Sequence, residues 1–352
     1  MTYGTFSPLQ IGSLKIGLPL LQAPLSGYSD APMRRLARKF GASFAFCEVF
    51  LDQFVINVSK KSKARLYLAV KQTDKPSGAQ LMGSSSEEFV PAALKLLECG
   101  FDLIDLNFAC PVKKVLGRSR GGFLISEPQR AIEIAQNVRN AIPAYVPLTA
   151  KLRKGYDDSQ QSRLDFYQLL DGLIDAGLNG VAVHGRTVLQ RYQGVADWNF
   201  LREVKEYVAV KRNRPDFTVI GCGDLFQPQE ICQKLLDSGV DGVALARGAI
   251  GNPWLFTQTR AAMLAQAIPP MPTLAQQRAT IAEHFNAAME LYGHNRAPTV
   301  MRKFGVAYSK LHPEQELVRV AFAKCKTPKE WFQILDQFYG SQVDDSYLKY
   351  LK

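Results

Sequence analysis

From residue 18 to about 256 the chain repeats one pattern: a short β-prone apolar run, a polar loop, then a longer stretch with apolar residues at helical spacing. Eight runs read as strands: Leu18 to Ala23, Ser43 to Val49, Gly78 to Met82, Leu103 to Leu106, Leu148 to Leu152, Gly180 to Val183, Phe217 to Ile220 and Gly242 to Leu245. Helix starts are marked by Asp30 with Pro32 in the first turn, by Ser84 with Glu87 as a capping box, and near Pro128, Ser159, Asp197 and Pro228. Stops fall at Gly41, Gly100, Gly177 and Gly239. Eight such units close naturally into a parallel (β/α)8 TIM barrel. The competing open doubly wound sheet usually has fewer units, and no GxGxxG follows the first strand. Beyond Pro253 the pattern changes. Ile268 to Pro272 reads as a linker, and Arg278 to Leu291, Ala297 to Leu311 and Lys329 to Phe338 read as helices, so a small all-helical C-terminal domain is expected. The expected division is 1–265 for the barrel and 266–352 for the helical domain.

The length of 352 residues suits a barrel plus an appendage. With 47% hydrophobic and 21% charged residues, disorder and disulfide-stapled mini-folds are excluded. No apolar run reaches the ~18 residues of a spanning helix, and the first residues lack the features of a secretory signal, so a soluble cytoplasmic protein with no membrane partner is expected. The six cysteines show neither CxxC spacing nor clustered histidines, so neither a metal site nor a disulfide framework is expected. Lys plus Arg exceed Asp plus Glu by 43 to 32, a net charge of +11 that favours polyanionic partners. Seven of those cations, Arg302, Lys303, Lys310, Arg319, Lys324, Lys326 and Lys329, fall within Ala297 to Lys329, where they form either a solvated helix face or a phosphate-binding surface.

A barrel of this kind carries its chemistry at the C-terminal ends of the strands. The polar residues there are Pro24, Ser26, Glu48, Gln80, Asn107, Cys110, Lys151, Arg153, His184, Arg186, Asp224 and Arg247. Lys151 and Arg153 are two apart on one strand and leave the same face, as do His184 and Arg186. So many cations at one mouth call for an anion. Gly221 to Asp224 and Ala246 to Gly248 flank the place where such barrels hold a phosphate on backbone N–H groups. Cys110 follows strand four directly. Its thiol can be a nucleophile or, while protonated, a proton donor.

In this order these residues resemble the tRNA-dihydrouridine synthases. The matching segments are Ala23 to Asp30 with Pro32 and Arg34, Gly41-Ala42 followed by Glu48, Gln80 to Gly83, Asp105 to Lys114, Lys151-Leu152-Arg153, Val183 to Thr187, Gln193-Gly194 and Asp197-Trp198. Gly223-Asp224, Arg247 to Ala249, Gly251 to Trp254, Met301 to Lys303 and Tyr308 to Lys310 complete a match that spans nearly the whole chain. The resemblance implies an FMN-dependent oxidoreductase that reduces the C5–C6 bond of a uridine in tRNA, with NADPH as transient reductant. FMN is then expected against Pro24, Leu25, Ser26, Gln80, Lys151, His184, Cys222, Gly223, Asp224, Ala246 and Arg247. Cys110 is expected as the general acid, Asn107 and Arg153 at the uracil, and Arg186, Arg302 and Lys303 among the substrate contacts. A monomer is expected. The sequence departs from the family pattern at Ala109, where a glycine is usual, at Cys222, and at Arg118 and Arg120. The residues also leave open a free-pyrimidine reductase, a Schiff-base aldolase using Lys151, and a barrel that remodels tRNA without catalysis.

Overall fold

The computed structural model describes residues 6–340 except residue 60; the outer ends of both expected domains lie outside the described residues. The chain opens with an antiparallel hairpin, β1 (Leu9–Ile11) and β2 (Leu14–Gly17). Eight parallel strands follow: β3 (Leu20–Gln22), β4 (Phe44–Leu51), β5 (Ser77–Met82), β6 (Leu103–Asn107), β7 (Leu148–Arg153), β8 (Gly180–His184), β9 (Thr218–Cys222) and β10 (Gly242–Leu245). They pair in sequence order and close, β10 against β3, into a barrel wrapped by helices. All eight expected strands are present among the described residues.

Strand parity sorts the side chains into two layers. Leu20, Leu81, Ile104, Leu106, Leu152, Val183, Val219 and Leu245 face outward and pack under the helices. Leu21, Phe44, Phe46, Leu103, Ala182, Ile220 and Ala244 face inward and fill the lower barrel, where Leu9, Ile11 and Ile16 of the hairpin close its floor. Room for the Phe44–Phe46 edge-to-face pair, ring centroids 5.0 Å apart, comes from Gly78. A Cβ there would lie 2.7 Å from the Phe46 ring. Higher in the barrel the same inward rows turn polar, and those rows build the site.

Helix starts follow the cap chemistry at Asp30, whose carboxylate accepts from the Met33 N–H at 2.9 Å, at Ser159 and at Asp197. The Ser84 capping box does not form. That helix begins at Ser86 after Ser85, and no side-chain hydrogen bond caps it. The C-terminal part contains helices Leu274–Tyr292, Ala297–Tyr308, Gln315–Lys324 and Pro328–Tyr339. The first starts earlier than periodicity suggests because Thr273 and Gln276 form a reciprocal capping box. Trp331 centres this region, fully buried and stacked on Phe285 at 4.5 Å with Phe322 at 4.6 Å. The tail meets the barrel through Tyr292 Oη, which donates to Asp30 Oδ2 at 2.7 Å, and through Lys303 Nζ, which donates to Gly27 O.

Candidate active site

The inward polar residues gather at the strand C-termini in two unlike groups. On the β5–β6 side, Asp105 is fully buried and accepts hydrogen bonds from Gln80 Nε2 at 2.5 Å and Thr149 Oγ1 at 2.6 Å. Gln80 Oε1 in turn accepts from Asn107 Nδ2 at 2.6 Å. With its amide group fixed, Asn107 Oδ1 accepts from the Ala109 N–H at 3.1 Å and the Cys110 N–H at 3.0 Å. The chain of bonds thus runs from a carboxylate in the barrel to the backbone of the thiol loop. Burial lifts the Asp105 carboxyl to about 6, partly opposed by the Gln80 and Thr149 hydrogen bonds and by Lys151. Burial also raises the Cys110 thiol, against the Val112 N–H and Arg153, which pull it down. Cys110 therefore keeps its proton at neutral pH while remaining partly exposed. Gly121 and Gly122 let the following turn close on it, and the Gly122 N–H donates to Cys110 O at 3.0 Å.

On the β7–β10 side four cations converge. Lys151 is buried and donates to Leu152 O at 3.2 Å. His184 is driven down to about 2, first by burial and then by Lys151, Arg153, Arg186 and Arg247. It is a neutral imidazole. Arg186 Nη1 lies 3.3 Å from His184 Nε2. A guanidinium only donates, so Nε2 bears the lone pair and Nδ1 bears the hydrogen. Asp224 is the acidic partner here, and Arg186 grips it bidentately at 3.0 and 2.7 Å. Burial would lift the Asp224 carboxyl, but the bonds from Arg186 and the Ala196 N–H hold it below its ordinary value. Gly223 beside it has φ +120, and a Cβ there would sit 2.6 Å from Ala196 Cβ and 2.9 Å from His184 Cδ2. Asp224 itself takes φ +50, a conformation its side-chain bonds enforce.

Several expected substrate contacts turn inward. Arg153, expected at the uracil, is 2% exposed. Its Nε donates to Ala109 O at 2.9 Å and its Nη1 to Thr187 O and Arg191 O at 2.8 Å each. It braces the thiol loop against the loop after β8. Arg186 likewise spends its donors on Asp224, Gln193 O and Gly194 O. Arg302 donates to Cys325 O at 2.5 Å, and Lys303 bonds Gly27 O with its ammonium 4.8 Å from the Tyr28 ring centroid. Both join parts of the fold instead of presenting free charge. The exposed cations of that stretch are Lys310, Lys324, Lys326 and Lys329, with Arg319 tied to Glu316 at 2.8 Å. Lys113, Lys114 and Arg118 are exposed on the thiol loop, whereas Arg120 is half-buried.

Pro24 and Leu25 are half-buried and Ser26 is exposed on the loop after β3, where the Leu25 N–H is already bonded to Ser29 Oγ at 2.8 Å. Cys222 is buried, with Sγ 3.4 Å from Val183 O. Ala246 leads into the short turn Arg247–Ala249, and the partly exposed Arg247 stacks over Tyr192 at 4.5 Å and reaches Asp224 at 3.4 Å. Two participants were missed. Asp105 shares its strand face with Asn107 two residues on, so parity could have found it. Tyr192 lies in a loop without periodicity and gives no signal. Among the described residues no cluster of His, Cys, Asp or Glu could hold a metal ion, and no helix is long and apolar enough to cross a membrane.

The donor set suits a phosphate-bearing cofactor: Lys151, the Nδ1–H of His184, Arg247 and the close backbone approach at Gly223 gather on a side whose carboxylate, Asp224, is already paired with Arg186. A parallel eight-stranded barrel with its polar groups at this end defines the class as a TIM-barrel protein. The same fold is found in morphinone reductase, which is 15% identical with a TM-score of 0.55 over 77% of this chain and 92% of that one. The model of the dihydrouridine synthase family matches residues 21–343, and the chain belongs to that family. A Rickettsia conorii protein named "Probable tRNA-dihydrouridine synthase" is 30% identical over 97% of this chain and 99% of its own length. Another relative, "tRNA-dihydrouridine synthase B" of Xanthomonas campestris pv. campestris, is 29% identical over 95% and 97%.

Proposed function

We propose that this chain is an FMN-dependent tRNA-dihydrouridine synthase in which Cys110 is the general acid, residues 1–265 form the catalytic domain and residues 266–352 the RNA-recognition domain. The observation that carries the reading is a protonated, half-open thiol held at the barrel mouth by Asn107 and Arg153, beside a cluster of cations. Lys151, His184, Arg247 and the Gly223 backbone would hold the flavin and its phosphate, with Gln80 at the ring edge. Bound there, FMN would supply the hydride chemistry for C6 of the uracil, with NADPH as its reductant.

The chain's own groups do the rest. Cys110 Sγ gives its proton to C5 of the uracil from the opposite side, and the Val112 N–H and Arg153 then stabilise the thiolate until water returns a proton. Asn107 and Arg153 act through backbone, fixing where the sulfur sits. The uridine must leave its stack to reach the mouth, at a cost of a few kcal/mol. Phosphate contacts from Lys113, Lys114 and Arg118 on the thiol loop and from the exposed tail lysines would offset that cost. An enzyme of this kind works on the cytoplasmic tRNA pool.

The test compares tRNA from cells with and without the gene by mass spectrometry, alongside the absorbance of the purified protein. A two-hydrogen mass increment that disappears with the gene, and a yellow protein, are expected. Unchanged tRNA, or a colourless protein with a borohydride-trappable Lys151, would overturn the reading.

A further inference from the structure

Between the barrel rim and the tail lies a cavity of about 380 Å³, within the range of pockets that enclose small organic groups. It is lined by Glu48 of β4, by Phe54 of the helix Asp52–Asn57 that follows, and by Tyr67, Tyr292, Arg296 and Lys303. Building on the proposed function, we infer that this cavity is a second nucleobase subsite, which receives the base of a nucleotide flanking the reduced uridine.

Four features point to a base. Tyr67 and Tyr292 lie with ring centroids 5.7 Å apart, tilted by 39°, giving an aromatic wall on which a base can stack. The exposed Arg296 sits 5.8 Å from each ring centroid and donates to Tyr67 Oη at 2.9 Å, which places a cation where a phosphate following the base would lie. Glu48 Oε2 accepts from the Gly27 N–H at 2.8 Å, and Lys303 bonds the Gly27 carbonyl, so the carboxylate is held in place. Its other oxygen takes no hydrogen bond from the described residues and can accept from the N–H edge of a base. The position also fits. β4 and β6 are separated by β5 alone, two strand spacings of roughly 4.8 Å each around the rim, within reach of a nucleotide next to the one at Cys110. A larger hollow of about 620 Å³, lined by Leu9, Pro19 and Asp241, lies at the opposite end of the barrel and cannot serve the same strand of RNA.

The experiment uses the full-length holoenzyme and unmodified transcribed tRNA, with abasic residues placed one at a time on either side of the target uridine. Tyr67→Ala should raise the KM and the Kd for intact tRNA roughly tenfold, leave kcat and thermal melting unchanged, and leave the KM for NADPH unchanged. Tyr67→Phe, which keeps the ring and loses only the acceptor for Arg296, should cost far less than Tyr67→Ala, roughly twofold in the Kd for tRNA. One of the two abasic transcripts should cost the wild-type enzyme the same factor, and on that transcript Tyr67→Ala should cost nothing more. A Tyr67→Ala variant with wild-type affinity for tRNA, a full loss on both abasic transcripts, or a loss that appears in the KM for NADPH would overturn the subsite. Failure of the proposed function itself is distinguishable, because the wild-type enzyme would then form no dihydrouridine on the intact transcript.

Discussion

The two sides of the barrel mouth solve opposite electrostatic problems with residues from the same strand rows. On the β5–β6 side a single carboxylate, Asp105, is satisfied by neutral partners, and the thiol at the end of the chain of hydrogen bonds stays uncharged. On the β7–β10 side a histidine is kept neutral first by burial and then by Lys151, Arg153, Arg186 and Arg247, with Asp224 as the acidic partner of Arg186 and Arg247. The difference teaches that an uncharged thiol and a group of cations can share one barrel mouth when the first is insulated by amides and the second is paired with little acid.

The comparison breaks most visibly at the sulfur. Cys110→Ala should lower dihydrouridine formation by roughly 10³-fold while tRNA and FMN remain bound. The check is product analysis by mass spectrometry on a variant whose flavin absorbance matches wild type, and near-normal yield would remove Cys110 from the reaction. Next in size is the cationic side. Arg186→Ala strips the bidentate partner from Asp224 and leaves a largely buried carboxylate uncompensated, so unfolding free energy should fall by about 3 kcal/mol. Urea titration measures it, and a loss under about 1 kcal/mol would show that Asp224 finds enough water or Arg247 instead.

The smallest effect concerns Asp105. Its folded carboxyl titrates at about 6, above the ordinary 3.8, so the folded protein retains a proton that the unfolded chain releases. The stability this gives is full below about pH 4 and is lost as pH rises through about 6, a change on the order of 2 to 3 kcal/mol. Asp105→Asn should erase that slope whatever constant offset it introduces. Asp30, also raised to about 6 by burial, is present in both proteins and cancels in the difference. Parallel stability curves for variant and wild type from pH 4 to pH 7 would mean that Asp105 is already ionised in the native barrel.

Much of this was legible from residues. Short apolar runs ending in polar pairs located all eight strands, and the two-residue spacing of Lys151 with Arg153 placed both inside the barrel. Spacing could not reveal how their donors are used, because Arg153 bonds carbonyls at positions 109, 187 and 191, which only the closed barrel brings together. For the same reason Arg302 and Lys303 looked like RNA contacts: a basic residue on a helix reads as exposed until the partner surface, here Gly27 and Cys325, is in place. The hairpin Leu9–Gly17 went unseen since polar Gln10 and Lys15 interrupt its short apolar runs and no helical stretch follows them to complete the repeated unit. Helix Gln315–Lys324 went unseen since its alternation of charged and apolar residues has only Val318 and Phe322 buried.

That hairpin has a consequence for proton traffic. With Leu9, Ile11 and Ile16 stoppering one end of the cylinder in apolar packing, the polar end that carries the thiol loop is the one left for protons and water to use. Under the proposed chemistry, substrate at the mouth stands in that same route, so the proton that replaces the one given up by sulfur would arrive once the product has left.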